Sequence, residues 1–346
     1  MAGRVKMTDV ARVAGVSTSA VSRVFTPGAS ASEETVAKVR EAAERLGYRP
    51  HRLARSLTTG RSRIIGVVVA YLENYFYPQA LELLSGALQA RGYHVLVFLS
   101  GEPDAEIDHI IEEILDHQVD GVIMASVAVS SELAAQAEAS GVPVVLFNRR
   151  QDAGRFTSVT SDNDGGGHAV GRFLLAGEHQ RIAYVAGWEG ASTQKEREAG
   201  FRRALAEGGR ALHDRAVGNY RWGDAADAAR ALFDRPPARR PDAVFVANDH
   251  MAFAVIDVLR GELGLRVPDD VSVVGFDDAR PAAWQAYQLT TVRQRARRMV
   301  EATVEHLLQR VEGEADGPPS ETIIEAPLIV RRSARVPANW KETVLV

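Results

Sequence analysis

An α/β body of two doubly wound parallel-sheet lobes, preceded by an all-α helix-turn-helix head, is the architecture this sequence predicts. Three observations carry that expectation. From Arg63 onward, short runs of Val, Ile and Ala alternate with stretches of helical period. Strands written as continuous apolar runs are buried on both faces, as in a parallel sheet covered by helices. The alternation runs once to about residue 150 and again after residue 160, and the roughly 280 residues involved exceed one such core. The first 48 residues instead hold three short helical patterns punctuated by glycine and hydroxyl residues.

In the head, Thr8 is the expected N-cap before DVARVA, Gly15 breaks that helix, and Ser17 precedes TSAVSRVF. A Pro27-Gly28 turn follows, and Ser32 opens EETVAKVREAAERLG. In this third helix Val36, Val39, Ala43 and Leu46 share a face, Glu33 and Glu34 sit at the positive end of the dipole, and Gly47 can close the last turn. Val10, Val13, Val16, Val21 and Val24 complete a small core. The short turn containing Gly15 has helix-turn-helix spacing. With Val21 and Val24 inward, Thr18, Ser19, Ser22 and Arg23 lie opposite, near the end of the helix that enters a major groove. Short hydroxyls permit close approach, and an arginine in the second turn can fork onto guanine. The alternative for Ser17 and Arg23 is a plain N-cap and a solvated charge.

In the body, IIGVVVAY, YHVLVFLS, DGVIMAS and PVVLFN read as strands separated by helices such as PQALELLSGALQARG. RIAYVAG, DAVFVAND and VSVVGFDD continue the series, with a return through LTTVRQ. Doubly wound sheets bind ligands beyond the carboxyl ends of their strands, where this sequence places Asn74 and Phe76, Arg149, Asn248 and Asp277, with Arg197 on the helix after RIAYVAG. Arginine forks, an amide and a carboxylate suit vicinal hydroxyls. The glycines of DGGGHAVG do not fit GxGxxG, and close helix-to-strand packing is the favoured reading over a dinucleotide loop. Asp277-Asp278 could be paired carboxylates, but no third ligand or general base accompanies them.

Zero cysteines exclude disulfides and thiolate sites, and nine histidines never fall in HExxH. No metal, cofactor or catalytic residue is expected. The first residues lack a secretory pattern and no run approaches a membrane span, which predicts a cytoplasmic protein with no membrane partner. Charge divides unevenly. Residues 1–60 hold ten Lys/Arg against five acids, leaving 31 basic and 40 acidic residues for the rest. A sequence pI near 6.2 thus conceals a basic head on an acidic body, which suits a polyanion at the head alone. A solvated basic face is the plainer alternative.

TDVARVAGVSTSAVSRVF followed by SEETVAKVREAAERLGYRPHRLARSL resembles the DNA-binding head of the lactose-repressor family of bacterial regulators. The resemblance implies that Thr18 and Ser19 occupy the base-reading positions and that Arg23 reads a guanine, with Thr8, Ser17 and Ser22 in the same DNA-facing set. Ala20 stands where Thr is usual, Thr26 where Asn is usual, and His51 replaces Asn. RLARSLTTG is too short to be a stable helix alone. In the family this hinge folds when two copies meet over the operator, and Leu57, with Arg52 and Ala54 beside it, matches the segment whose leucine wedges into the minor groove. The expected domains are residues 1–50 (head), 51–61 (hinge) and 62–346 (body). Within the body one lobe is about 62–160 with 292–322, the other about 161–291 with 323–346.

The body also resembles the family, whose effector domain is similar to periplasmic sugar-binding proteins; GVPVVLFNRR, REAGFRRAL, PDAVFVANDHMAFAVI and DDVSVVGFDDAR match its blocks in order. The resemblance implies that Arg149, Arg197, Asn248 and Asp277 contact a ligand and that Phe76 and Trp222 form aromatic walls, with Asn74 in the same loop. The implied protein is a repressor of pseudo-palindromic operator DNA, controlled by a small sugar-like effector and working as a homodimer. Its tail, APLIVRRSARVPANWKETVLV, carries no leucine heptad of the kind that makes tetramers. The runner-up is a sugar-binding transport receptor, which would have no use for residues 8–57. An enzyme is the third reading.

Overall fold

The computed structural model describes residues 5–25, 29–48, 61–101, 108–125, 136, 139–151, 154–315, 317–338 and 340. The chain divides into two compact units, Met1–Arg63 and Ile64–Val346.

The first unit holds α1 (Met7–Ala14), α2 (Thr18–Phe25) and α3 (Glu33–Leu46). Val10, Ala11, Val21, Val39, Ala42 and Ala43 are its buried centre, with Val13, Val16, Val24 and Leu46 packed around it, while Val36 is half-buried. Thr8 does not cap α1. The helix begins two residues earlier than a Thr8 cap would place it, at Met7 behind Lys6, and the Asp9 carboxylate accepts the Lys6 backbone N–H at 2.9 Å. An ionised acid at the third position answers both the free amide and the positive helix end, which a threonine hydroxyl does less well. Ser17 and Ser32 cap as expected, accepting from the amides of Ala20 at 3.2 Å and Thr35 at 3.3 Å. Gly15 and Gly47 both close helices at φ 66°, a region that costs glycine little.

The second unit contains two six-stranded sheets. In the first, β1 (Ile64–Val69), β2 (His94–Leu99), β3 (Gly121–Ala125), β4 (Val144–Phe147), β5 (Thr157–Ser161) and β11 (Glu321–Ile324) lie in the order β11-β5-β4-β3-β1-β2, all parallel. Helices α4 (Phe76–Ala90) and α10 (Ala296–Val311) bury Leu84, Leu88, Met299, Val304 and Leu307 on one face, against Ile65, Val67 and Val145. Helix α5 (Asp108–Asp116) covers the other, where Ile110 and Ile114 meet Val68, Val122 and Leu146. In the second sheet, β6 (Ile182–Ala186), β7 (Asp214–Val217), β8 (Ala243–Val246), β9 (Ser272–Asp277), β10 (Thr290–Arg293) and β12 (Leu328–Ile329) take the order β12-β10-β9-β8-β6-β7. Only the short β12 runs antiparallel to its neighbour. Helices α6 (Asn163–Ala176), α7 (Ser192–Glu207), α8 (Trp222–Phe233) and α9 (Asp249–Asp257) complete this layer. The chain passes between the sheets at Asp162, after Arg293 and after Ile324.

The continuous Val/Ile runs β1, β3, β4, β6, β8 and β9 are buried nearly throughout. YHVLVFLS departs from that pattern. β2 is an edge strand, and Val97 and Leu99 are 40% and 54% exposed. Composition marks a strand without fixing its place in the sheet order.

The glycines of DGGGHAVG open α6, with the Asp162 carboxylate accepting the Gly165 amide at 2.8 Å. Gly166 does pack against a strand, since a Cβ there would fall 2.8 Å from the Phe276 ring. The tighter approach is helix on helix. A Cβ on Gly167 would lie 2.1 Å from the Arg197 carbonyl oxygen, and one on Gly200 would lie 1.9 Å from that of Asp164. These contacts are with backbone and cannot be relieved by a rotamer change. Gly200→Ala is therefore expected to force α6 and α7 apart and to lower stability by roughly 2–3 kcal/mol; urea unfolding checks it, and an unchanged midpoint would mean that the helix pair yields freely.

Candidate functional site

Two surfaces hold the predicted functional residues. On α2, burial of Val21 leaves Thr18, Ser19 and Arg23 exposed and Ser22 half-buried. Ser17 and Ser19 share a hydroxyl hydrogen bond of 2.9 Å. Arg23 has no acidic partner among the described residues, so its guanidinium is presented with all its donors at an exposed helix face. Thr26, His51, Arg52, Ala54 and Leu57 lie outside the described residues, as do residues 51–60 of the hinge.

The second surface is the cleft between the two sheets of the body, where strand ends and crossing segments converge. Asn74, in the loop after β1, accepts the Phe76 amide at 3.1 Å and so starts α4. Its amide nitrogen donates to Asp277 Oδ2, 3.2 Å away at the end of β9 in the other lobe. Gln294, on the crossing after β10, donates to Asp277 Oδ1 at 2.7 Å and accepts from Ser161 at the end of β5 at 2.8 Å. Arg197 comes up from α7. Its Nε donates to Asn163 Oδ1 at 2.9 Å, one terminal nitrogen donates to the Ala247 carbonyl at 2.6 Å, and the same nitrogen stands 3.7 Å from Asp277. The guanidinium lies 3.6 Å from the centre of the Phe276 ring, a cation–π contact that fixes its plane. Asn248 caps α9 through its side-chain oxygen, 3.0 Å from the Met251 amide, and its Nδ2 is buried with no hydrogen-bond partner.

Asp277 and Asp278 have φ of 132° and 55°, a strained pair for residues with a Cβ. Asp249 holds the turn, its carboxylate accepting the Ala279 amide at 2.8 Å and the Thr291 hydroxyl at 2.6 Å. Burial pushes the Asp277 carboxyl up to about 6, against the opposing pull of Arg197, Gln294 and Asn74. Burial also drives Asp249 well above the carboxylate range, and the neighbouring charge of Asp277 adds to it. Asp278 is held differently, in ion pairs with Arg293 and Arg331. Burial raises the Tyr71 hydroxyl, with Tyr77, Tyr220 and Asp277 acting in the same direction and Arg149 opposing.

Asn74, Phe76, Arg197 and Asp277 thus form one buried group, with Asn248 next to Ala247, which Arg197 holds. Arg149 is buried beside it, its guanidinium 5.6 Å from the Trp188 ring. Phe76 is almost fully buried and stacks on Phe147 at 6.1 Å. Trp222 stands at the first position of α8, 40% exposed, edge-on to His250 at 5.6 Å. Sequence reasoning missed Gln294, Asn163, Asp249, Tyr71 and Trp188. Gln294 ends LTTVRQ, so the strand-end rule could have found it. Asn163 was obscured by the glycines that follow it. Among the described residues no helix is long and apolar enough to cross a membrane, and no cluster of three metal-ligating side chains occurs.

A three-helix head with an exposed hydroxyl-and-arginine helix face, joined in one chain to a two-lobed α/β body with a polar buried cleft, defines a ligand-responsive DNA-binding regulator. Residues 6–51 match the bacterial regulatory proteins of the lacI family, and residues 171–334 match the periplasmic binding protein-like domain. The chain is 32% identical over 293 residues to the catabolite control protein A of Priestia megaterium, covering 84% of this chain and 87% of that protein. It is 31% identical over 307 residues to the HTH-type transcriptional repressor PurR of Aliivibrio fischeri (strain MJ11), covering 88% and 90%. Among solved structures, a lac repressor dimer bound to operator and the anti-inducer ONPF superposes with a TM-score of 0.85 at 26% identity, covering 96% of this chain and 99% of that one. A complex of the regulator CelR with cellobiose gives 0.71 at 31% identity, covering 96% and 100%. The chain belongs to the lacI family of bacterial transcriptional regulators.

Proposed function

We propose that this regulator is a repressor whose operator affinity is set by a neutral sugar or sugar derivative bound between the lobes, with Asp277, Arg197, Asn248 and Arg149 holding the hydroxyls and Trp222 facing the C–H side of the ring. The observation that carries this reading is the buried Asn74–Asp277–Gln294 link. A carboxylate of one lobe is tied to an amide of the other at 3.2 Å, so a ligand that takes over its lone pairs changes the connection between lobes. An anionic ligand would have to approach Asp277, whereas hydroxyls can donate to it while accepting from the arginines. The cellobiose complex of CelR supports a sugar; the operator-bound lac repressor dimer supports a two-fold dimer on a pseudo-palindromic site. In this mechanism the effector re-angles the lobes and separates two hinge segments around residues 52–60, so Leu57 leaves the minor groove. Only a few kcal/mol of coupling is needed when the hinge is marginal.

A thermal-shift screen of the full chain against cellobiose, lactose, D-glucose, D-ribose and hypoxanthine tests the ligand class. A sugar is expected to raise the melting temperature, and Arg197→Ala to remove that rise while leaving operator binding intact. Stabilisation by hypoxanthine alone would replace the sugar reading with a nucleobase one.

A further inference from the structure

His250, the second residue of α9, is 6% exposed, and neither of its ring nitrogens has a hydrogen-bond partner. Burying an imidazole in this way is costly unless something else satisfies it. On its own lobe it meets the Trp222 ring edge-on, at 62° and 5.6 Å. Towards the other lobe its Nε2 faces the Glu73 carboxylate, 4.0 Å away and beyond hydrogen-bond reach. The imidazole therefore stands at the cleft, between the aromatic surface proposed for the sugar ring and an exposed acid across the gap. Two residues earlier in the chain, Asn248 Nδ2 is buried and unpartnered in the same way. Burial pushes the imidazole below its ordinary range against the pull of Glu73, so it enters the site neutral, with one donor and one acceptor.

We propose that His250 is a specificity-determining residue of the cleft, whose Nδ1 accepts a hydrogen bond from a hydroxyl of the sugar lying against Trp222, while its Nε2–H is taken by Glu73 as the lobes close. This rests on the sugar reading above. The two partners set the tautomer: a carboxylate at Nε2 requires the proton there, which leaves Nδ1 as an acceptor. The group opposite must then be a donor, so the site selects a free hydroxyl over a deoxy or O-methyl position, because an analogue without the O–H leaves the imidazole unpaired.

The test uses the full chain and three variants. Without ligand, His250→Leu is expected to leave the melting temperature unchanged or to raise it by roughly 2 °C, since it removes a buried polar group with no partner. For whichever sugar of the panel stabilises the wild type, calorimetry is expected to show affinity at least about tenfold weaker in His250→Leu. His250→Asn, which places a carbonyl oxygen near the position of Nδ1, is expected to recover most of that loss, and Glu73→Ala to weaken binding several-fold. A fall in the ligand-free melting temperature of His250→Leu would make His250 a structural residue and overturn the proposal. Unchanged affinity in that variant would overturn it as well, and His250→Asn no better than His250→Leu would overturn the Nδ1 acceptor. If no sugar of the panel stabilises the wild type, the sugar reading itself has failed, which is seen before any variant is made.

Discussion

Asp277→Asn is expected to abolish the response to effector while flattening the pH dependence of stability, and both effects follow from one buried carboxyl. In the ligand-free fold its pKa is raised to about 6 from an ordinary 3.8, so the folded state disfavours the charged form. The contribution is absent below the unfolded value, grows as pH rises from about 4 to 6, and stays constant above. At neutral pH the ionised side chain costs the fold on the order of 2–3 kcal/mol. The depressed imidazole of His250 acts with the opposite sign, so the test is the difference between wild type and variant, measured by urea unfolding at pH 5 and pH 7.5. The variant should gain less, or lose more, from acidification than the wild type. Sugar hydroxyls that donate to the carboxylate favour its charged form, so wild-type affinity should rise with pH through about 6 and level off above. An affinity that is flat across that range would mean that Asp277 does not touch the ligand.

Arg23→Ala is expected to reduce the preference for operator over random duplex by about 1–3 kcal/mol. Ser17 starts α2, Val21 turns one face inward, and Arg23 is left on the exposed face with no acidic partner among the described residues. Alanine keeps the helix, because it has the highest helix propensity, so the loss should fall on recognition and leave folding intact. Binding measured on specific and scrambled duplexes at one salt concentration decides the role. Equal weakening on both, with a shallower salt slope, would make Arg23 a phosphate contact.

The larger part of the head was legible because its constraints are local. Caps at Ser17 and Ser32, glycines at the ends of α1 and α3, and the valine spacing depend on neighbours within four residues. Even there Thr8 gave way to Asp9, since which of two polar residues caps a helix depends on where its first turn begins. The strand-end rule picked out Asn74, Asn248 and Asp277, which the fold brings together with Arg197. Strands β1 to β4, β6, β8 and β9 were legible as apolar runs, whereas β5 (TSVTS), β7 (DRAV) and β11 (ETII) carry polar residues and were not legible. Burial of Phe76 against Phe147 and of Asp249 beneath the Asp277 turn was not, because each needs partners 70 or more and about 30 positions away in the chain, respectively.

From the sequence by itself came the three-helix head, the two series of alternating strands and helices, the uneven charge and the polar residues at strand ends, all of which follow from short-range periodicity and composition. Tertiary structure alone decided the sheet orders, the exposure of β2 at an edge, the helix-on-helix contact at Gly167 and Gly200, and the placing of Gln294 between Ser161 and Asp277. It also set the protonation of the cleft. A carboxyl's pKa depends on how much water and which charges the folded chain leaves around it, and no local pattern encodes that for Asp277 or for the unpaired imidazole of His250.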